Sequence, residues 1–403
     1  MTDLTSGGRL PLDAGNAKLV GRAWTCTHGI EGPSVVIVDQ GSLFDVTEWA
    51  PTVSDVLNHP DPAQLWSSLP RTACLGTVDE IFGNTRRGAA RRNPYLLAPC
   101  DIQAIKACGV TFTQSLLERV VEERLRGSAT DVKNIREQIE RELGQALGMI
   151  KPGSPQAVAL KEKLVGLGAW SQYLEVGLGP DAEVFTKAQP MSVIGYAHPV
   201  GVLPQSRWNN PEPEVVLAVN ARGRIVGATL GNDVNLRDYE GRSALLLGRA
   251  KDNNSSCAIG PFIRLLDQRF TLTDVRELDI ELEINGDDGF TEHAVSSMRN
   301  ISRDIEELVV HAMGAHHQYP DGMMLFTGTM YTPTTPRDAK SDDFTHRRGD
   351  IVRIRSHRLG TLSNEVDYTD AISPWTFGIG ALLRNLAQRG LLTPKTAVET
   401  IPR

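Results

Sequence analysis

Residues 214–233 read EVVLAVNARGRIVGATLGND, two apolar runs joined by Asn, Arg and Gly, and their reading decides the fold. Apolar alternation on both sides of a turn is the mark of an antiparallel hairpin, with Gly223 supplying the permissive backbone beside Ala221 and Arg222. Turning there sets Glu214 opposite Thr229 and Glu212 opposite Gly231, so Asp233 lands beside both glutamates. Glu212 and Glu214 stand two apart in the overlapping stretch 208–217, WNNPEPEVVL, and share one face of an extended segment. Three like charges at one strand end need an offset from solvent, a basic partner or a bound cation. A solvated acidic rim is the plain reading of any one glutamate. Three together favour a hard divalent cation, Mg2+ first and Mn2+ as a substitute, which takes a few carboxylates and leaves positions open for chemistry. None of the nine histidines falls in this set, which disfavours zinc and leaves His316 and His317 as a helix-end or surface pair.

Outward from the hairpin, YLEVGLGPDAEVFTK, LDIELEINGDDGF and DIVRIRSHRLGTLSNEVDYT show the same interrupted alternation and predict further antiparallel strands. The chain beyond Trp170 therefore reads as β-rich, decorated by a helix from Ile305 to about His311 and another over PWTFGIGALLRNLAQRG. Upstream, Leu116, Leu117, Val120, Val121 and Leu125 mark one helical stripe, and Val132, Ile135, Ile139, Leu143 and Leu147 a second. Ser154 and Pro155 are placed to open a third helix through VALKEKLVGLG. Residues 1–98 read as a small N-terminal β-rich domain and connection, ahead of a catalytic domain over 99–403. The connection contains NTRRGAARRNP, whose four arginines suit either a solvated loop or an anion. Lys251 sits in a polar Gly/Ser/Asn loop near enough in sequence to return to the carboxylates; buried beside a metal, its pKa would fall.

Composition narrows the partners. Over 403 residues the chain is 40% hydrophobic and 23% charged with net charge -7, and has no dense basic run, so a small-molecule ligand is expected rather than nucleic acid or membrane. Cys26, Cys74, Cys100, Cys108 and Cys257 are scattered and form no CxxC pair, which suits reduced thiols in a cytoplasm. The N-terminal stretch MTDLTSGGRLPLDAGN lacks the basic flank and apolar core of an export signal, so a cytoplasmic location is expected.

The ExE pair, the Asp of NDVNLRD, the Lys of KDNNSSCAIGPF and the TGT at Thr327 to Thr329 resemble the fumarylacetoacetate hydrolase superfamily, in order and spacing, over roughly residues 100 to 385. The resemblance implies an α+β fold, a mixed β-roll with a helical insertion, that assembles as a homodimer or homotetramer. It also implies Mg2+ held by Glu212, Glu214 and Asp233. Hydrolytic members activate water with a His and a Glu three positions apart; in GVTFTQSLLER those places hold Ser115 and Glu118. Serine has no basic nitrogen, so hydrolysis loses its general base while proton transfer on carbon by Glu118 remains open. Several longer stretches, the helical insertion among them, are similar to the branch of the superfamily that dehydrates 2-keto-3-deoxy-pentonates such as 2-keto-3-deoxy-D-xylonate.

That similarity implies Glu118 as acid and base, Lys251 on a 2-oxo sugar acid oxygen, Thr329 at its carboxylate and Ser115 positioning a water or hydroxyl. Arg237 is expected either to pair with Asp238 across the turn or to touch substrate, and Lys187 either to line the pocket or to face solvent. SSMRNISRDIEELV matches a family helix leading into the last sheet, so a scaffold role is expected for Ser302 and Arg303. Two other readings stand beside the dehydratase: a C–C bond hydrolase of acylpyruvates or diketo acids, and an inactive binding protein that kept the fold.

Overall fold

The computed structural model describes residues 8–27, 29–85, 94–126, 130–143, 150–166, 170–337 and 342–395. The predicted hairpin lies near the middle of an eleven-stranded sheet, formed by strands Pro213–Val219 and Ile225–Asp233. On one side follow Met323–Phe326, Ala104–Gly109 and Glu183–Ala188; on the other, Cys257–Leu265 leads to Leu19–Thr27, Ile30–Asp39, Ser42–Asp45 and Cys74–Thr77. The N-terminal strands thus extend the same sheet, joined where Leu19 pairs with Arg264. Met323–Phe326 runs parallel to Ala104–Gly109 while the other pairings in this sheet are antiparallel, the mixed α+β architecture that the sequence leads one to expect.

Every residue of Pro213–Val219 is buried because both faces of the sheet are covered. Val215, Leu217 and Val219 pack against Ile280, Leu282, Ile284, Val352, Ile354 and Leu362 of a second, five-stranded sheet. Val216 and Ala218 face the opposite way, toward Val53, Val56 and Leu57 of a short N-terminal helix. Each large apolar side chain so enclosed contributes about 1.5–3 kcal/mol. Strand Asp279–Asn285 alternates buried and less buried positions with period two, as its sequence predicts.

The hairpin register differs from the expected one by two residues. Glu214 pairs with Gly231 and Val216 with Thr229, while Val219 pairs with Ile225. The turn is three residues wide, with Gly223 at φ +71° and Asn220 N–H donating to Arg224 O at 3.0 Å, and a bulge at Ala218/Val219 adds one residue more. Two single-residue slips restore parity, so the glutamates keep the predicted face.

The helical insertion contains Thr113–Leu125, Val132–Leu143 and Pro155–Gly166, the last opened by Ser154 Oγ accepting from Ala157 N at 3.2 Å. Leu116, Val120, Val121, Val132, Ile139, Leu164 and Trp208 form its core. YLEVGLG, expected as a strand, is a helix, Gln172–Leu178, with Ser171 capping Leu174 N–H at 3.3 Å and Tyr173, Leu174, Gly177 and Leu178 buried. That i, i+1, i+4, i+5 set is a helix stripe too short to tell from alternation. Helix Ile305–Ala312 stands where expected, whereas the C-terminal helix begins only at Ile379, after PWTFG. His316 and His317 are exposed in a turn, as predicted. The arginines of NTRRGAARRNP lie outside the described residues. All five cysteines are free, and no described helix is long and apolar enough to cross a membrane.

Candidate metal centre and active site

Pairing within the hairpin brings Glu212 to the end of the second strand, where its carbonyl accepts from Asp233 N at 3.0 Å and its own N–H donates to Asn232 Oδ1 at 3.1 Å. Carboxylate oxygens of Glu212, Glu214 and Asp233 then lie within 4.8 Å of one another, all three residues buried. Gly328 N–H donates to Glu214 Oε2 at 2.7 Å and Thr329 Oγ1 to Glu214 Oε1 at 3.3 Å, so the TGT segment holds this side chain.

Cations are distributed unevenly over the set. Lys251 Nζ pairs with Glu212 and lies 3.2 Å from Asp233 Oδ2, while Arg119 pairs with the other Glu212 oxygen. Burial raises the Glu212 carboxyl, but Lys251 and Arg119 outweigh it and bring it down to about 2. Glu214 forms no ion pair among the described residues; burial, then the charges of Asp233 and Glu212, push its carboxyl well above the usual range. Glu214 is therefore the group whose charge lacks compensation. Three buried hard oxygen donors with one uncompensated charge fit a divalent cation. With no cation bound, burial lowers the Lys251 ammonium, but Asp233, Glu212 and Glu240 more than reverse this and hold it above the ordinary lysine range.

Lys187 is fully buried behind the set, 3.0 Å from Asp233 Oδ1 and donating to the carbonyls of Val234 and Lys251. It faces neither solvent nor an open pocket; it braces Asp233. Ser115 Oγ donates to Phe112 O at 2.9 Å. Glu118, buried on the same helix, is gripped by Arg136 at 2.7 Å and Arg237 at 3.2 Å. The expected Arg237–Asp238 pair is not formed. Arg237 turns inward, 2.6 Å from Glu122, 3.3 Å from Asp343 and 4.2 Å above the Trp208 ring, while Asp238 accepts from Ser206 and Arg207 N.

Sequence reasoning missed much of this surround. Arg119 joins Glu212 to Glu122 at 2.8 Å and Glu240 at 3.0 Å. Two glutamates at i and i+4, Glu118 and Glu122, repel on an isolated helix, and their placement beside Arg119 was a readable signal. Glu183 was missed as well. It shares a face of its strand with Phe185, whose ring lies 5.7 Å below Lys251 Nζ, and so points to the same side as the carboxylates. Burial, followed by the charge of Glu240, pushes the Glu183 carboxyl up to about 7 against the pull of Arg119 and Lys251.

Comparison with known proteins agrees with this geometry. Residues 179–367 match the family described as fumarylacetoacetate (FAA) hydrolase, C-terminal. A probable 2-keto-3-deoxyxylonate dehydratase of Haloferax volcanii is 33% identical over 194 residues, 48% of this chain and 63% of the relative. A 2-dehydro-3-deoxy-D-arabinonate dehydratase of Saccharolobus solfataricus is 32% identical over 185 residues, 46% of this chain and 58% of the relative. The match thus spans about three fifths of each curated relative. A solved 2-keto-3-deoxy-D-arabinonate dehydratase, complexed with magnesium and 2,5-dioxopentanoate, shares the fold with TM-score 0.58 and 20% identity, over 87% of this chain and 99% of that one.

Proposed function

We propose that this chain is an enzyme that dehydrates a 2-keto-3-deoxy-pentonate, 2-keto-3-deoxy-D-xylonate by our reading, to 2-oxoglutarate semialdehyde in the presence of Mg2+. The observation that carries the proposal is the buried Glu212, Glu214 and Asp233 set with Glu214 uncompensated. Those three residues would hold the cation, which when bound supplies Lewis-acid polarisation of a 2-oxo acid and so acidifies its C3–H. Two relatives that carry dehydratase names, and a protein of the same fold solved with magnesium and 2,5-dioxopentanoate, support the same chemistry. Hydrolysis is disfavoured because Ser115, at the position of a water-activating histidine, offers no basic nitrogen and donates its hydroxyl to Phe112 O.

The reaction removes a proton from C3 and expels the C4 hydroxyl as water; a further proton shift from C5 leaves the aldehyde. Proton transfer needs a carboxyl tuned near neutrality and free to move. Glu118, engaged by two arginines, suits this poorly. Glu183, partly buried and held up to about 7, suits it better, and we assign it the proton on C3. Lys251, kept cationic by its carboxylate neighbours, is a donor to a substrate oxygen rather than a base. Thr329 and Gly328 fix Glu214, and a contact from Thr329 to the substrate carboxylate would share the same hydroxyl.

The test is product analysis by mass spectrometry with 2-keto-3-deoxy-D-xylonate and its arabinonate epimer, with Mg2+, with Mn2+ and with EDTA. Semialdehyde with all five carbons, lost on chelation, is the expected outcome. Two shorter acids would instead identify a C–C hydrolase, and no turnover would favour a binding protein.

A further inference from the structure

The sheet register places Glu183 far from the carboxylates that it must work with. Gly109 pairs with Glu183, the parallel neighbour strand aligns Ala107 with Phe326, and Phe326 pairs with Val216. Carrying that register two residues on sets Glu183, Gly109, Gly328 and Glu214 in one row, so three strand spacings, roughly 14 Å, separate the two glutamate backbones. A glutamate standing upright on its strand would leave its carboxyl at the margin of the site. Glu183 instead lies down across the neighbouring strand: a methyl group on Gly109 would overlap its Oε2 and come 2.6 Å from its Cδ. Among the described residues no side-chain hydrogen bond or ion pair at contact distance ties down the Glu183 carboxyl; the space above Gly109 admits it, and Arg119 and Lys251 attract it from farther off.

We infer that Gly109 is a positioning residue, whose missing side chain is the slot through which the Glu183 carboxyl reaches toward Glu214, Lys251 and a bound substrate. This rests on the proposed dehydratase role of Glu183. Glycine inside a strand weakens it and commonly marks a close approach of another group. Here the approaching group is the flexible end of a side chain, not backbone, so an added methyl displaces the carboxyl and leaves the strand in place. Gly109 also lies outside the left-handed region, so alanine fits its backbone.

The experiment compares wild type, Gly109→Ala, Glu183→Gln and the double variant in Mg2+-loaded protein. Gly109→Ala should keep the thermal midpoint and Mg2+ affinity of wild type. Its kcat should fall on the order of 10–100-fold, as misplacement of a reacting group by an ångström does, with KM changed much less. In the Glu183→Gln background the same substitution should cost nothing further. A Gly109→Ala enzyme with wild-type kcat, or one that loses as much again in the Glu183→Gln background, would overturn the inference. A substrate-independent arm separates it from the dehydratase reading. With 13C-labelled glutamate, the Glu183 carboxyl should titrate at a different midpoint in Gly109→Ala than in wild type. Absence of turnover in wild type would refute the dehydratase alone, whereas an unchanged Glu183 midpoint would refute the role of Gly109.

Discussion

Replacing Arg237 with Met separates its two expected roles, substrate contact and structural cation. The guanidinium is fully buried, 2.6 Å from Glu122, 3.2 Å from Glu118 and 3.3 Å from Asp343. After the substitution Glu122 keeps Arg119 at 2.8 Å and Glu118 keeps Arg136 at 2.7 Å, while Asp343 retains Arg136 at 3.5 Å. Methionine fills most of the volume over Trp208 but leaves an unbalanced buried charge, and removing one partner of a buried ion pair costs about 3–5 kcal/mol. For a chain of 403 residues that corresponds to a thermal midpoint lowered by roughly 4–6 °C. The sign with pH follows from Asp343, which burial raises to about 6 even though Arg237 pulls it down. Without Arg237 it rises further, so the folded variant holds this proton to higher pH than wild type does. Stability is lost as pH climbs through the wild-type value toward the variant's. The deficit therefore opens above about pH 6 and is largest near neutrality. Calorimetry of both proteins from pH 5 to 8 measures it. An unchanged midpoint together with a raised KM would refute the reasoning and return Arg237 to the substrate.

Three further outcomes are expected. Glu214→Gln should weaken Mg2+ binding by calorimetry by more than the roughly 10–100-fold that loss of a supporting partner costs, and Thr329→Val should fall within that range. In wild type kcat/KM should drop as pH falls, because the proton acceptor must be ionised; the limb has its midpoint at or below about 7, since a bound cation favours the carboxylate. Glu183→Gln should remove that limb and lower the rate on the order of 10²–10⁴-fold. Ser171→Ala should cost about 1 kcal/mol in chemical denaturation by uncapping helix Gln172–Leu178, with kcat preserved; no loss would mean that the cap contributes little there.

What the sequence made legible was local. The hairpin announces itself by alternation around Gly223, and face parity survived a register error of two because strand periodicity is two, so Glu212, Glu214 and Asp233 were gathered correctly from 22 consecutive residues. Where two periods compete over a short window, as in YLEVGLG, the same reasoning chose a strand although Ser171 stood ready as a cap. The charge network was hidden for a different reason. Arg119 meets Glu212 across 93 residues, and Arg237 meets Glu122 and Glu118 across 115 and 119. Periodicity says which face of a helix a charge occupies, never which distant charge it will face. The nearest acid in sequence, Asp238, was therefore the natural but wrong partner for Arg237, because its own oxygens are already taken by Ser206 and Arg207 N. Glu183 and Gly109 extend the point: each is unremarkable alone, and only the cross-strand pairing turns an acidic residue and an absent side chain into one device.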